Sequence, residues 1–230
     1  MKQALLTMLL MGCAFGQTKS TPAAKPAAAK PDLSNPASLN AKAPETYRTK
    51  FTTTKGVVII EVTRAWAPRG ADRFYNLVRA GYFTDAPFFR VVPNFMAQFG
   101  ISARPEVNRV WGNANFSDDP KTAHSNTRGM LTFATTGQPN TRGTQLFINY
   151  KDNSFLDSQG FIPIGQVVEG MEIVDQFYSG YGDTVNKEGD LENGGKAYVD
   201  RNMPKLDRIV SATIVPATPA APKPAADTKK

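Results

Sequence analysis

Short runs of alternating apolar and polar residues recur along much of the chain and predict β-strands. Residues 47–53 and 57–63 are rich in β-branched side chains and flank Lys55-Gly56, a combination that predicts a β-hairpin. Further β-rich runs follow at 88–92, 95–99, 130–135, 145–150, 162–168 and 206–215. The chain is therefore predicted to be mainly β.

Two segments have the apolar spacing of a helix instead. The first begins at Pro68, which suits the first helical position, carries Phe74 and Leu77 three residues apart, and ends at Gly81. The second spans residues 171–178. Many short strands with two separated helices predict an antiparallel barrel or sandwich with helical caps rather than a βαβ fold.

Shifts in composition divide the chain into a domain and two flanking segments. Residues 17–45 and 216–230 are rich in Ala, Pro and Lys and carry almost no large apolar side chains, so they are interpreted as a semi-extended linker and a disordered tail. A single domain is expected between them, over residues 46–215. Within it, the Gly-, Asn- and Asp-rich residues 179–204 are predicted to form an extended surface loop.

Residues 1–16 are interpreted as an export signal, because Lys2 precedes an apolar run that is too short to cross a bilayer. Two ways of processing it remain open. Cleavage after Gly16 would use small residues at the positions that a leader peptidase reads. Alternatively, the lipobox-like run that ends at Cys13 would make this cysteine a lipidated first residue and anchor the protein in a membrane. Both alternatives place the protein in the periplasm or cell envelope.

Composition excludes several kinds of chemistry. The 230 residues include one cysteine and one histidine, which rules out an intramolecular disulfide framework and a zinc site built on several thiolates. His124 lies in a polar segment and is interpreted as a surface residue. Glu188, Asp190 and Glu192 lack the spacing of a calcium loop and are interpreted as solvated. No metal and no cofactor are expected.

The formal net charge of +7 does not predict a nucleic-acid partner. Binding to phosphates requires clustered Lys and Arg, whereas the basic residues of this chain alternate with acidic ones or lie in the terminal segments. Neither RNA nor DNA is therefore expected as a partner.

The segment 88–100, FFRVVPNFMAQFG, places Arg90 among phenylalanines and valines. Taken alone, such an arginine is usually explained by a salt bridge or by a charged end that reaches solvent. The segment 131–148 adds an alanine-bearing strand followed by PNTRGTQLFI, and Phe155-Leu156-Asp157 stands downstream. Together these motifs resemble the cyclophilins, a family of barrel-fold peptidyl-prolyl cis/trans isomerases, over roughly residues 50–178.

The resemblance implies a closed eight-stranded antiparallel barrel capped by two helices, without a cofactor. It also implies an enzyme that accelerates rotation about X–Pro bonds, which face a barrier of about 18–20 kcal/mol. Arg90 would be the catalytic residue, donating hydrogen bonds that weaken amide resonance while an apolar pocket holds the proline ring. The residues that would bind substrate are Phe95, Met96, Gln98, Ala134, Thr135, Gln145, Phe147, Phe155, Leu156 and Phe161.

Three residues depart from the family pattern. Phe89 stands where many relatives have a histidine, and it is expected to make the site slightly drier. Phe155 replaces a tryptophan of the cyclosporin-sensitive relatives; because it lacks an indole N–H donor, weak cyclosporin binding is expected. Phe161 replaces a second histidine and is expected to make the proline pocket more apolar. Arg90 itself is retained.

The leading hypothesis is a monomeric, exported isomerase whose partners are unfolded or extended polypeptides that contain proline. Two alternatives of other classes remain. One is a peptide-binding or chaperone module that grips such segments without turnover, and the other is an envelope scaffold in which the anchor at Cys13 and the linker matter more than the pocket.

Overall fold

A computed structural model describes residues 31–216 and contains one antiparallel sheet of nine strands. The strands are β1 (Thr46–Thr53), β2 (Val57–Thr63), β3 (Ala86–Pro87), β4 (Arg90–Val92), β5 (Met96–Phe99), β6 (Met130–Phe133), β7 (Leu146–Asn149), β8 (Pro163–Glu169) and β9 (Arg208–Val215). The α-helices of the described residues are α1 (Pro68–Arg79), α2 (Pro105–Trp111), α3 (Met171–Val174) and α4 (Glu188–Asn202).

The sheet closes on itself through a single run of chain. Its strand order is β3-β9-β1-β2-β8-β6-β7-β5-β4, and the two outermost strands are separated in sequence only by Phe88 and Phe89. The run 86–92 therefore pairs with β9 at its start and with β5 at its end. Counted as one bent strand, it makes an eight-stranded antiparallel barrel, as the sequence predicts.

Most predicted elements are found within a few residues of their expected bounds. The hairpin of β1 and β2 is present, and α1 begins at Pro68. The helix predicted over 171–178 is shorter, because α3 ends at Val174. Helices α2 and α4 were not predicted.

Aromatic side chains fill the interior of the barrel. The rings of Phe51, Phe83 and Phe88 each lie 5.4–5.6 Å from the ring of Phe99, in edge-to-face contacts. Helix α1 adds the fully buried Phe74 and Leu77 to the same core. The face of α1 predicted from its apolar spacing is thus the face that packs into the barrel core.

The prediction of an extended loop over 179–204 is wrong. A short 3₁₀-helix, Val185–Lys187, leads directly into α4, and both lie against the outside of the barrel. Apolar residues scattered among the Gly, Asn and Asp of this segment are sufficient to form a second, smaller core with Phe89, Ile101 and Leu206, which lie outside the segment. Its members are Phe89, Ile101, Leu191, Val199, Met203 and Leu206.

A close backbone contact holds α4 against the loop before α2. Gly195 interrupts the helical geometry with φ +53°, and a Cβ atom there would lie 2.4 Å from the carbonyl oxygen of Ala103 and 2.7 Å from the Pro105 ring. The amide of Lys196 donates to that same carbonyl at 2.8 Å. Glycine is therefore required at this point, both for its φ and for the close approach.

Part of the predicted linker is packed onto the domain, which differs from the expectation of a semi-extended segment. Leu33 is only 6% exposed, and its carbonyl accepts a hydrogen bond from the indole N–H of Trp111 at 2.9 Å. The amide of Ala43 donates to Asp72 Oδ1 at 2.8 Å. The domain thus begins before residue 46. The predicted signal, residues 17–30 and residues 217–230 lie outside the described residues.

Among residues 31–216, no helix has the length and apolar character needed to cross a membrane.

The packing of Gly195 predicts that Gly195→Ala lowers the free energy of unfolding by about 1–3 kcal/mol, since the new methyl group meets the backbone and the residue is strained. Gly189→Ala is the matched control. Gly189 lies in α4 at an exposed position where an added methyl group would have no atom within 4 Å, so this change should be neutral or slightly stabilising. Urea denaturation of both variants tests the prediction, and equal stabilities would contradict the proposed docking of α4.

Candidate active site

A cavity of about 460 Å³ opens beside β5 and β7. Its apolar part is a cluster separate from the barrel core, formed by the buried side chains of Met96, Phe147 and Leu156. Phe95, Ala134 and Phe161 pack around this cluster and remain partly accessible. The cavity therefore offers a small apolar surface to a ligand.

Strand register brings the polar residues of the cavity to the same place. Arg90 of β4 is paired with Gln98 of β5, and Gln98 is paired with Phe147 of β7. Met96 and Gln98 lie two residues apart and so point to the same face of β5. One face of three neighbouring strands thus carries a cation, an amide and the apolar cluster side by side.

The guanidinium group of Arg90 is held at the edge of this cavity by two side chains. Its Nη1 donates to Gln98 Oε1 at 3.1 Å. Its Nε and Nη2 donate to the two carboxylate oxygens of Asp183, at 2.7 and 2.8 Å. The Arg90 side chain is 22% exposed, and that of Asp183 is 50% exposed. Hydrogen bonding by Arg90 lowers the pKa of the Asp183 carboxyl below its usual value, so this carboxyl is ionised at neutral pH.

The hydrogen bonds continue along the cavity wall. Gln98 Nε2 donates to Gln145 Oε1 at 2.7 Å, and Gln145 Nε2 donates to Glu188 Oε2 at 3.1 Å. A continuous row therefore runs from Asp183 through Arg90, Gln98 and Gln145 to Glu188. Both ends of the row belong to the segment that the sequence predicts to be a loop.

Two of the acidic residues interpreted as solvated line the cavity instead. Glu188 and Glu192 both lie on α4 and face the cavity, whereas Asp190 is exposed and contacts the Tyr198 hydroxyl at 3.2 Å. Burial, together with the nearby charge of Glu188, raises the pKa of the Glu192 carboxyl. Across residues 31–216, no group of three or more His, Cys, Asp and Glu side chains could hold a metal ion.

The structure brings together nearly all of the site residues predicted from the sequence. The exception is Phe155, which lies outside the cavity lining, is 55% exposed and stacks on Phe95 with 6.2 Å between ring centroids. The predicted residues that line the cavity are Arg90, Phe95, Met96, Gln98, Ala134, Thr135, Gln145, Phe147, Leu156 and Phe161.

The expectation that Phe89 makes the site drier is wrong. Phe89 is fully buried in the second core, on the opposite side of the strand from Arg90. Neighbouring residues of an extended chain point to opposite faces. Arg90 therefore faces the cavity, whereas Phe89 packs against α4 in the second core.

Several lining residues were missed. Trp111 could have been found, because Pro105 begins a short helical pattern in which Val107 and Trp111 lie four residues apart. Asp183, which contacts Arg90 but is not part of the cavity lining, was also missed and carries no comparable signal: it is separated from Arg90 by 93 residues, and only the fold brings the two together. The other missed lining residues are Gly112, Asn115, Thr136, Thr141, Gly143, Thr144, Val185, Glu188 and Glu192.

Asp157 supports the wall of the cavity that carries Leu156. Its carboxylate accepts hydrogen bonds from the Ser125 hydroxyl and from the backbone and side-chain N–H groups of Asn126. The fully buried Asn126 side chain in turn accepts from Thr132 in β6 at 2.7 Å. Partial burial would raise the pKa of Asp157, but these hydrogen bonds outweigh it and lower that pKa below its usual value.

Comparison with known proteins finds the same family throughout. The family described as "Cyclophilin type peptidyl-prolyl cis-trans isomerase/CLD" matches residues 48–197. A peptidyl-prolyl cis-trans isomerase of Acinetobacter baylyi is 33% identical over 54% of this chain and 68% of its own length. A probable peptidyl-prolyl cis-trans isomerase of Brucella abortus is 30% identical over 69% of this chain and 78% of its own length.

Solved structures show a similar fold. The crystal structure of a cyclophilin type peptidyl-prolyl cis-trans isomerase from Cryptosporidium parvum matches with a TM-score of 0.54 at 21% identity, over 75% of this chain and 99% of that protein. A structure of the same protein in the presence of the dipeptide Ala-Pro matches with a TM-score of 0.52, over 74% of this chain and 99% of that protein.

The contacts of Asp157 predict a pH-dependent contribution to stability. A lowered pKa in the folded state adds stability above the unfolded-state pKa, and this stability is lost as the pH falls through the folded-state value. Asp157→Asn should therefore cost about 1–2 kcal/mol at pH 7. The difference from the parent should shrink below about pH 4. Urea denaturation of both proteins at pH 7 and below about pH 4 tests this prediction. The exposed carboxylate of Glu172, changed to Gln, is the control, and an Asp157→Asn effect that does not depend on pH would contradict the assignment.

Proposed function

This chain belongs to the cyclophilin-type family of peptidyl-prolyl cis-trans isomerases, and we propose that it accelerates X–Pro rotation in exported proteins with Arg90 as its catalytic residue. The observation that carries the proposal is the position of Arg90, whose guanidinium group is fixed at the edge of the cavity beside the cluster of Met96, Phe147 and Leu156.

Rotation about an X–Pro bond needs no proton transfer and no nucleophile. What must be weakened is the conjugation between the prolyl nitrogen and the preceding carbonyl group, which gives the bond its double-bond character. A hydrogen bond donated to the prolyl nitrogen draws its lone pair out of conjugation and favours the twisted amide. A guanidinium group suits this role because it stays charged and presents donors in a rigid plane.

The cavity supplies the other requirement, which is to hold the proline ring while the chain on its other side turns. In the proposal, the ring rests on the apolar cluster of Met96, Phe147 and Leu156. Ala134 and Gln145 line the adjoining part of the cavity and would contact the flanking peptide in an extended conformation. Substrates would then be unfolded or extended polypeptides that contain proline.

A second candidate is a peptide-binding module without turnover. Asp183 favours it, because this carboxylate already occupies Nε and Nη2 of Arg90. Arginine has five N–H donors, however, and the hydrogen bonds with Asp183 and Gln98 use three of them. The remaining two are sufficient for a bound peptide, so isomerisation remains the better explanation.

The proposal also includes weak cyclosporin binding and a monomeric state. Phe155 lies outside the cavity lining, stacked on Phe95 and more than half exposed, and its ring has no N–H group to donate to a ligand.

The central prediction concerns Arg90. Replacing it by Ala or Lys should lower kcat/KM for a prolyl tetrapeptide by at least about tenfold, since lysine keeps the charge but loses the planar fork. A protease-coupled isomerisation assay measures the rate. The control is Arg79→Lys, at an exposed arginine on α1 that is remote from the cavity lining. If Arg90→Ala isomerised the peptide as fast as the parent, the binding module would replace the enzyme as the explanation.

Export is the second part of the proposal, and it rests on residues 1–16, which lie outside the described residues. Lys2 and the following short apolar run have the pattern of an export signal, with either cleavage after Gly16 or lipidation of Cys13. Mass spectrometry of the mature protein from an exporting bacterial host is expected to find one of these two N-termini. A full-length chain that retains Met1 in the cytoplasm would contradict export.

A further inference from the structure

The segment 183–188 supplies both ends of the hydrogen-bonded row on the cavity wall, namely Asp183 and Glu188. We propose that Asp183 and Glu188 are positioning residues for the isomerase reaction, which hold Arg90, Gln98 and Gln145 in the arrangement that directs the guanidinium group towards bound proline. This inference rests on the proposed catalytic role of Arg90. It extends that role to residues that lie outside the strands of the barrel.

The Asp183 carboxylate is itself fixed in place. Val185 donates its backbone N–H to Asp183 Oδ1 at 3.2 Å, within a tight turn. The adjacent Thr184 is 4% exposed and donates its hydroxyl to the carbonyl oxygen of Phe89, the residue before Arg90. These contacts fix the Asp183 carboxylate relative to the run of chain that carries Arg90. The long, flexible side chain of Arg90 is thereby held in one orientation.

The N–H groups of Arg90 that Asp183 and Gln98 already engage decide which N–H groups remain for a substrate. Asp183 engages the Nε–Nη2 edge with two nearly equal hydrogen bonds, and Gln98 takes one N–H of Nη1. The two N–H groups that remain are on Nη1 and Nη2. Asp183 therefore fixes the plane of the group while leaving one donor on each terminal nitrogen for a substrate.

Glu188 sets the direction of the rest of the row. Between Arg90 and Glu188, the row has a donor at one end and an acceptor at the other, because arginine can only donate hydrogen bonds and a carboxylate can only accept them. With Glu188 accepting from Gln145 Nε2, Gln145 must present its oxygen to Gln98, and Gln98 must present its oxygen to Arg90. Both amides are thus held in the one orientation that supports the guanidinium group.

The ion pair contributes little to holding the segment on the barrel. Because the Asp183 carboxylate is half exposed, water screens the pair, and such pairs contribute little to stability. The docking of α4 instead depends on the second core, whose members include Leu191, Val199, Met203 and Leu206. Removing the charge of Asp183 should therefore leave the fold intact and act on the rate.

The test is a double-mutant cycle on kcat/KM with the full chain and a prolyl tetrapeptide. Asp183→Asn should lower kcat about five- to tenfold with KM within about twofold, because a misplaced catalytic group affects the transition state more than binding. In the Arg90→Ala background the same substitution should have no further effect, since there is no guanidinium group left to position. Thermal unfolding should be unchanged.

Asp190→Asn is the matched control, because it removes an exposed carboxylate from α4 without changing any residue of the row. Its rate should equal that of the parent. An Asp183→Asn variant that is as fast as the parent, or faster, would overturn the inference; a faster variant would show that Asp183 restrains the arginine. If Arg90→Ala itself had no effect, the proposed function would fail first, so the two failures are distinguishable.

A second comparison tests Glu188. Glu188→Lys places a donor where the row requires an acceptor and should lower kcat by at least about fivefold. Glu188→Gln can still accept through its amide oxygen, so its kcat should fall less than that of Glu188→Lys. Equal losses in the two variants would contradict the role assigned to Glu188.

Discussion

A guanidinium group beside an apolar cavity must be surrounded by acceptors, because an unpaired charge is costly to remove from water. Arg90 meets this requirement with the carboxylate of Asp183 and the amide oxygen of Gln98, and it keeps two N–H groups for a ligand. The geometry of the cavity depends on this interaction. Without these partners, a charged side chain at this position would turn towards solvent, and the apolar cluster would lack the hydrogen-bond donor that the proposed reaction requires.

Three consecutive residues show how the strand connects the parts of the molecule. Phe88 packs in the barrel core, Phe89 packs in the second core, and Arg90 faces the cavity. The bend at Phe88 and Phe89, between β3 and β4, thus places the interior of the barrel, the anchor of α4 and the candidate catalytic group on consecutive residues. The segment of α4 and the candidate active site are therefore built on the same few residues.

Local patterns account for what the sequence could predict. Strand alternation and turn residues give the hairpin of β1 and β2, and Pro68 with its spaced apolar residues gives α1. The motifs by which the sequence resembles the cyclophilins carry Arg90, Gln98 and the apolar cluster. Residues that depend only on local sequence, or on such motifs, are therefore recovered.

The failures have a different physical origin. Helix α4 contains Gly194 and Gly195 and few apolar residues, so its own sequence favours a loop, and burial of Leu191 and Val199 against Phe89 overrides this preference. Asp183 can be recognised only once the fold brings it to Arg90. The same holds for Leu33, whose Ala- and Pro-rich surroundings predict a linker until Trp111 supplies a partner for its carbonyl group. Tertiary contacts decide all of these cases.

The most direct measurement is a crystal structure of this protein with a bound Ala-Pro peptide. We predict the proline ring on Met96, Phe147 and Leu156, with a terminal nitrogen of Arg90 within hydrogen-bonding distance of the prolyl nitrogen or its neighbouring carbonyl oxygen and the Asp183 pair intact. A proline ring bound elsewhere, or an Arg90 side chain turned away from the peptide, would contradict the proposed mechanism.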